Sequence, residues 1–218
     1  MQLIPTREEI LSLFRKSGAL RDGHFEYPNG LHTTQHVETA LAMRSYQYAK
    51  LLSVALSRLI RGNSELRAWL PELSIVTVTA AGLPVAYGLA EALRPKQVYR
   101  AEKIDPLHPM RLEITPEPGE KIILVDDILR SGKLLAEGKA LLESYGGSVV
   151  ALAVLIHQPI PDTLEMKRVP FYSLARIEGR HFDRAEDCDL CRRSVPLERI
   201  GSSLQLDEIE EASPCAVS

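Results

Sequence analysis

Two adjacent carboxylates, Asp126 and Asp127, are followed within one short loop by Ser131, Gly132 and Lys133. Ionised carboxylates only accept hydrogen bonds, so the pair suits the vicinal hydroxyls of a sugar and repels a phosphate. The Ser-Gly-Lys run has the opposite character. Its hydroxyl can donate, its glycine lets the backbone approach closely, and its lysine adds positive charge. A ribose 5-phosphate moiety would satisfy both halves at once.

Such a site needs elements to hold it. Ile122-Ile123-Leu124-Val125 reads as a buried parallel strand that ends at the acidic pair. After the loop, Leu134, Leu135, Leu141, Leu142 and Tyr145 fall near one helical face, and Gly146-Gly147 stops the pattern. A helix N-terminus presents free N–H groups and a positive dipole end to an anion, and open α/β sheets bind ligands at the carboxyl ends of their strands.

The rest of the chain supplies the remaining layers. Thr6 and Glu9 have capping-box spacing and open a short helix through Phe14, closed at Gly18. Phe25, Tyr27 and Pro28-Asn29-Gly30 predict a short strand and a tight turn. Residues 46–61 read as an amphipathic helix. Strands are expected at 75–79, 97–101, 148–156 and 170–175, with a helix over Pro84 to Leu93. Strands alternating with helices predict an α/β fold with a parallel sheet. Residues 103–119 read as a long loop. The 218 residues, 45% hydrophobic and 25% charged, fit one soluble globular domain. A net charge of −3 gives no reason to expect nucleic acid or a membrane as a partner.

The run Val125-Asp126-Asp127-Ile128-Leu129-Arg130-Ser131-Gly132-Lys133-Leu134 resembles the phosphoribosyl pyrophosphate (PRPP) signature of the type I phosphoribosyltransferases. It departs from that signature at Leu134, where the family usually has a hydroxyl residue. Ala80-Ala81-Gly82-Leu83-Pro84 is similar to the family's pyrophosphate loop, which commonly has two glycines. The segment from His24 and Phe25 through Gly30 and His32 resembles the hood of the orotate-type members. Asp187-Cys188-Asp189-Leu190-Cys191 is similar to the tail of one bacterial subgroup of them.

The resemblance implies a parallel sheet flanked by helices with a small N-terminal hood. It implies a single domain over residues 1–203, with the hood mainly in 1–37, the core in about 46–176 and a cysteine-containing tail in 180–203. Residues 204–218 are expected to be disordered. The implied reaction is attack of a nucleobase nitrogen, orotate favoured, on C1 of PRPP, with pyrophosphate leaving and Mg²⁺ carried by PRPP rather than by a protein cage. PRPP would be bound by Asp126, Asp127, Arg130, Ser131, Gly132, Lys133, Leu134, Ala81 and Gly82. Lys103, His108, Arg111 and Asp127 would serve catalysis, and Phe25, Gly30 and His32 would meet the base. In the family a glycine-containing loop closes over PRPP. Its counterpart here, residues 101–111, has Pro106 and Pro109 and no glycine. The alternatives are a transferase for another base and a non-catalytic PRPP- or nucleotide-binding regulator. A cytoplasmic homodimer is the expected state.

Cys188 and Cys191, two residues apart, supply half of a zinc site, with His181 a candidate third ligand and Cys215 in the tail. With no second such pair, the expectation is two reduced thiols that pin the tail, with zinc the lesser reading.

Overall fold

The Thr6 hydroxyl accepts from the Glu9 N–H at 3.2 Å, and the Glu9 carboxylate accepts from the Thr6 N–H at 2.7 Å. That capping box starts α1 (Arg7–Lys16), which buries Ile10, Leu13 and Phe14. The computed structural model describes residues 4–103, 108–164 and 169–201. Pro106 and the tail from residue 202 onward, with Cys215, lie outside the described residues.

After α1 come β1 (Leu20–Glu26) and β2 (His32–Val37), joined by a turn in which the Gly30 N–H donates to the Tyr27 carbonyl at 2.8 Å. Gly30 has φ of 81°, a left-handed value that favours glycine. Three helices follow: α2 (Thr39–Met43), α3 (Tyr46–Arg61) and α4 (Ser64–Trp69). The alternating region comprises β3 (Ser74–Thr77), α5 (Leu83–Leu93), β4 (Gln97–Glu102), β5 (Arg111–Leu112), β6 (Lys121–Leu129), α6 (Lys133–Ser144), β7 (Ser148–His157) and β8 (Phe171–Arg176). The described chain ends with β9 (His181–Phe182), α7 (Asp189–Arg192) and β10 (Glu198–Arg199).

Contacts divide the chain into two units, Met1–Arg21 with Val37–Glu178 and Asp22–His36 with Gly179–Ser218. The larger holds a six-stranded sheet in the order β5-β4-β3-β6-β7-β8, parallel except for β5 on β4. Strand β6 shows why this sheet is covered on both faces. Ile123 and Val125 belong to one apolar core, with residues of α1, α3 and α5. Ile122 and Leu124 belong to a second, with residues of α6. The side-chain period of two divides the four residues between the layers. Helix α1, which the sequence reading grouped with the hood, packs in the larger unit against β8.

The smaller unit holds the four-stranded sheet β10-β1-β2-β9. Phe25 pairs with Glu198 in parallel, and His32 pairs with Phe182 antiparallel. Strands from the early and late parts of the chain therefore share one sheet, which residue patterns at 22–36 and 179–201 do not reveal separately. No helix among the described residues is long and apolar enough to cross a membrane.

Candidate active site

The chain reverses direction across the large sheet. From β3 it moves outward to β4, then crosses back to place β6 on the other side of β3. Ligands of open α/β sheets sit at such a switch point, beyond the carboxyl ends of the strands. The register opens that space. Strand β3 pairs with β6 only as far as Thr77 opposite Val125, whereas β6 runs on beside β7 to Leu129 opposite His157. Asp126 and Asp127 therefore lie inside a strand and not past its end, a correction to the sequence reading. They still lie beyond the end of β3.

Both carboxyls are largely buried, at 4% and 6% exposure. Asp126 Oδ1 accepts from the Thr79 hydroxyl at 2.5 Å and from the Asp127 N–H at 2.9 Å, and Asp127 Oδ2 accepts from the Thr39 hydroxyl. Burial, and then the charge of Asp127, holds the Asp126 carboxyl well above the usual carboxylate range, with the Thr79 and Asp127 hydrogen bonds pulling the other way. Two carboxylates in one low-dielectric place are an excess of acceptors that donors or a cation would relieve.

Beside them, Gly132 takes φ of 75° and starts α6. The first-turn N–H groups of Lys133, Leu134 and Leu135 have no intrahelical carbonyl to reach, and Ala136 is the first to donate back, to Gly132. The Lys133 N–H lies 3.4 Å from Ser131 Oγ. A following loop braces the turn: the Leu164 N–H donates to the Ser131 carbonyl at 2.9 Å and the Thr163 hydroxyl to the Arg130 carbonyl at 2.7 Å. Among the described residues, a cavity of about 380 Å³ is lined by Thr79, Ala81 and Asp126 to Leu135. Its lining combines the acidic pair with a helix N-terminus, a hydroxyl and a lysine.

Eight of the nine residues expected to bind PRPP therefore line one cavity, and Gly82 is not among its lining. The Gly82 N–H already donates to Thr79 Oγ1 at 2.9 Å, so it is not a free anion donor. Gly82 instead permits close packing, since a Cβ there would lie 2.1 Å from Thr77 Oγ1 and 2.8 Å from Asp126 Oδ1. Arg130 lines the cavity, but its guanidinium donates to the Val37 carbonyl at 2.7 Å and to Gln158 Oε1 at 3.1 Å. Leu134 exposes 38% of its surface and can offer only its N–H.

The residues expected to serve catalysis are more scattered. Lys103 bonds both carboxylate oxygens of Glu137 on α6, at 2.9 and 2.7 Å, and holds that carboxyl below its usual range. The Met110 N–H also reaches Glu137, at 3.2 Å. His108 and Arg111 are exposed, and Arg111 pairs with Glu102 between β5 and β4. None of these three lines the cavity. Phe25 and His32 are buried in the smaller unit, where Phe25 packs against the ring of His36 and His32 against that of His24.

Sequence reasoning missed Thr39, Thr79 and Glu137. Thr79 stands next to the small-residue loop and could have been suspected there. Thr39 and Glu137 carry no local signal, because the sheet and α6 bring them to their partners.

A family profile described as a phosphoribosyl transferase domain matches residues 48–190. An orotate phosphoribosyltransferase of Carboxydothermus hydrogenoformans is 31% identical over 195 residues, covering 89% of this chain and 97% of the relative. One from Thermotoga maritima is 28% identical over 193 residues, covering 88% and 97%. The solved orotate phosphoribosyltransferase of Aeropyrum pernix shares the fold, with a TM-score of 0.62 and 21% identity over 77% of this chain and 93% of that one. The cavity at the β3/β6 switch point is thus set in a chain that belongs to the phosphoribosyltransferase family.

Proposed function

We propose that the chain transfers the 5-phosphoribosyl group of PRPP to orotate, giving orotidine 5′-phosphate and pyrophosphate. The observation that carries this reading is one cavity lined both by a buried carboxyl pair and by the start of α6. The names of relatives matched along nearly the whole chain favour orotate as the base.

In this reading Asp126 and Asp127 accept from the ribose hydroxyls. Ser131, Lys133 and the first N–H groups of α6 take the 5-phosphate. Ala81 stands at the pyrophosphate side. Preorganised donors aimed at the departing pyrophosphate supply the largest part of such an acceleration. Lys103, His108 and Arg111 are the cations assigned to it. Phe25 and Gly30 remain assigned to the base side, whereas His32 is taken up inside the smaller unit by His24 and Cys191.

Magnesium fits the donor set, because Asp126 and Asp127 each keep a second oxygen beyond those that accept from Thr79 and Thr39. Mg²⁺ keeps several waters and shares its coordination between one or two carboxylates and substrate phosphates, and when bound it would offset charge on the pyrophosphate. A cytoplasmic homodimer belongs to the same reading.

The test is calorimetric titration of PRPP with Mg²⁺, then addition of orotate while pyrophosphate release is followed. Binding followed by release with orotate is the expected result. Release only with another base would overturn the choice of orotate, and binding without release for any base would favour the regulator.

The ion pair of Lys103 gives a second test. If Lys103 must leave Glu137 to reach the leaving group, Glu137→Gln raises turnover by up to about fivefold at low salt. That corresponds to the ~1 kcal/mol that a partly exposed pair contributes at most. The gain should vanish as added salt screens the pair in the wild type. Turnover that falls in the variant at every salt concentration would mean that Glu137 positions Lys103 productively.

A further inference from the structure

In the smaller unit, four side chains from opposite parts of the sequence converge: His24 on β1, His32 on β2, and Cys188 and Cys191 at the start of and within α7. Their ligand atoms all lie within 4.8 Å of one another. We propose that His24, His32, Cys188 and Cys191 bind one structural zinc ion that staples the smaller unit.

The distances are those a tetrahedral cation would set. Zinc bonded to sulfur at about 2.3 Å and to nitrogen at about 2.05 Å, at tetrahedral angles, separates S from N by about 3.6 Å. The observed separations are 3.5 Å from His24 Nε2 to each sulfur and 3.4 Å from His32 Nδ1 to the Cys191 sulfur. The two nitrogens are closer, at 2.9 Å, and need to part by a few tenths of an ångström.

Hydrogen bonding alone accounts poorly for this arrangement. His24 Nδ1 lies 2.9 Å from the Val195 carbonyl oxygen, which can only accept, so Nδ1 carries the proton. In the neutral ring Nε2 then has one lone pair, and three potential donors crowd around it: two thiols and His32 Nδ1. Cys191 can donate to His32 Nδ1 instead, at 3.4 Å, but two acceptor nitrogens would then face each other at 2.9 Å, whereas a central cation takes a lone pair from all four ligands. The Val195 carbonyl is also the outer partner that metal-bound histidines usually have, fixing tautomer and ring orientation.

Charge and burial agree. Two thiolates and two neutral imidazoles neutralise Zn²⁺, so the centre can be buried without a residual charge. Cys188 is fully buried, His24 and His32 are 3% exposed, and Cys191 is partly exposed. Four protein ligands in a closed place make a structural site, not a catalytic one with an open position. The unit also needs such a staple. Among its described residues only Phe25, Leu31 and Cys188 are buried apolar side chains, too few for a core of its own. His24 and Cys188 are 164 residues apart, so one ion would fasten the β1–β2 hairpin to the late segment. His181, the third ligand suggested by sequence proximity, is not part of the cluster.

The test uses the full chain, expressed with zinc in the medium and purified without chelator. Elemental analysis should find about one zinc per chain, and Cys191→Ser or His32→Gln should lower that to a small fraction. Should those variants fail to fold, the wild type alone carries the test. Exchange of cobalt(II) into it should give the intense visible absorption of a tetrahedral ion and a sulfur-to-cobalt charge-transfer band. Strong chelation should lower Tm by several degrees, and zinc but not magnesium should restore it. None of these readouts needs turnover, so they stand or fall apart from the transferase reading. Wild-type protein that takes up neither zinc nor cobalt in stoichiometric amount, a six-coordinate cobalt spectrum, iron or copper in place of zinc, or a Cys188–Cys191 disulfide found by mass would each overturn the assignment.

Discussion

Asp126→Asn combined with Asp127→Asn abolishes PRPP binding and leaves a protein more stable than the wild type at neutral pH. The binding loss follows from the assigned role. Each substitution turns one carboxyl oxygen into an NH2 donor facing the ribose hydroxyls, and leaving two such groups unsatisfied at about 1–3 kcal/mol each weakens binding by at least ~30-fold. The stability gain follows from burial. Asp126 has its carboxyl pushed up by desolvation and by Asp127, so the folded state favours the neutral form. For a group whose folded value is raised, the favourable contribution is complete below the unfolded value of about 3.9 and is lost as pH rises through the folded one. Asn carries no such dependence, and its Oδ1 can still accept from the Thr79 hydroxyl and the residue 127 N–H, as Asp126 does. The Tm of the variant minus that of the wild type should therefore be small at pH 4 and grow toward pH 8. Calorimetry with PRPP and a thermal melt series test both halves. Unchanged PRPP affinity would sink the site assignment. A Tm difference that shrinks with rising pH would mean that the buried carboxyl is stabilised by partners other than those described.

The same residues show how far the sequence could be read. The run around Ile122 to Val125 and the glycine before α6 are local signals, and both elements form there. The strand was read too short because Asp is a poor strand former; β7 carries it on by pairing with every residue but Asp127 from Ile122 to Leu129. The short elements α2, α4, α7, β5, β9 and β10 carry no periodic signal of their own in the sequence. Two-residue strands such as β9 and β10 have no pattern of their own and exist only through β2 and β1. The cavity lining was legible where it is local, at Asp126 to Lys133. Pairings assembled across the chain were not. Lys103 meets Glu137 across 34 positions, and the two cysteines meet His24 and His32 in preference to His181, which is nearer in sequence. Nothing in a single sequence encodes such a pairing before the sheet order is known.

Gly82→Ala is the substitution with the other large effect, and its cause is a contact no loop motif states. Gly82 has φ of −75°, so alanine meets no backbone strain there. The obstacle is space: the new Cβ would stand 2.1 Å from Thr77 Oγ1, 2.8 Å from Asp126 Oδ1 and 3.2 Å from Asp126 Cα. Thr77 is fully buried in β3 and Asp126 lies in β6, so neither can simply swing away. The loop must retreat, and retreat breaks the chain in which the Gly82 N–H donates to Thr79 Oγ1 and the Thr79 hydroxyl to Asp126. Overpacking of this kind costs about 1–3 kcal/mol. For a chain of this size that lowers Tm by roughly 2–12 °C, at ~2–4 °C per kcal/mol. PRPP affinity should fall by at least ~10-fold, because the displaced loop no longer holds Asp126 toward the ribose. Adding Thr77→Ala removes the nearest obstructing atom. In a double-mutant cycle the pair should recover part of both losses, with the Asp126 contact accounting for the remainder. Strict additivity of the two substitutions would show that Thr77 does not limit the space at residue 82 and that the loop yields in another direction.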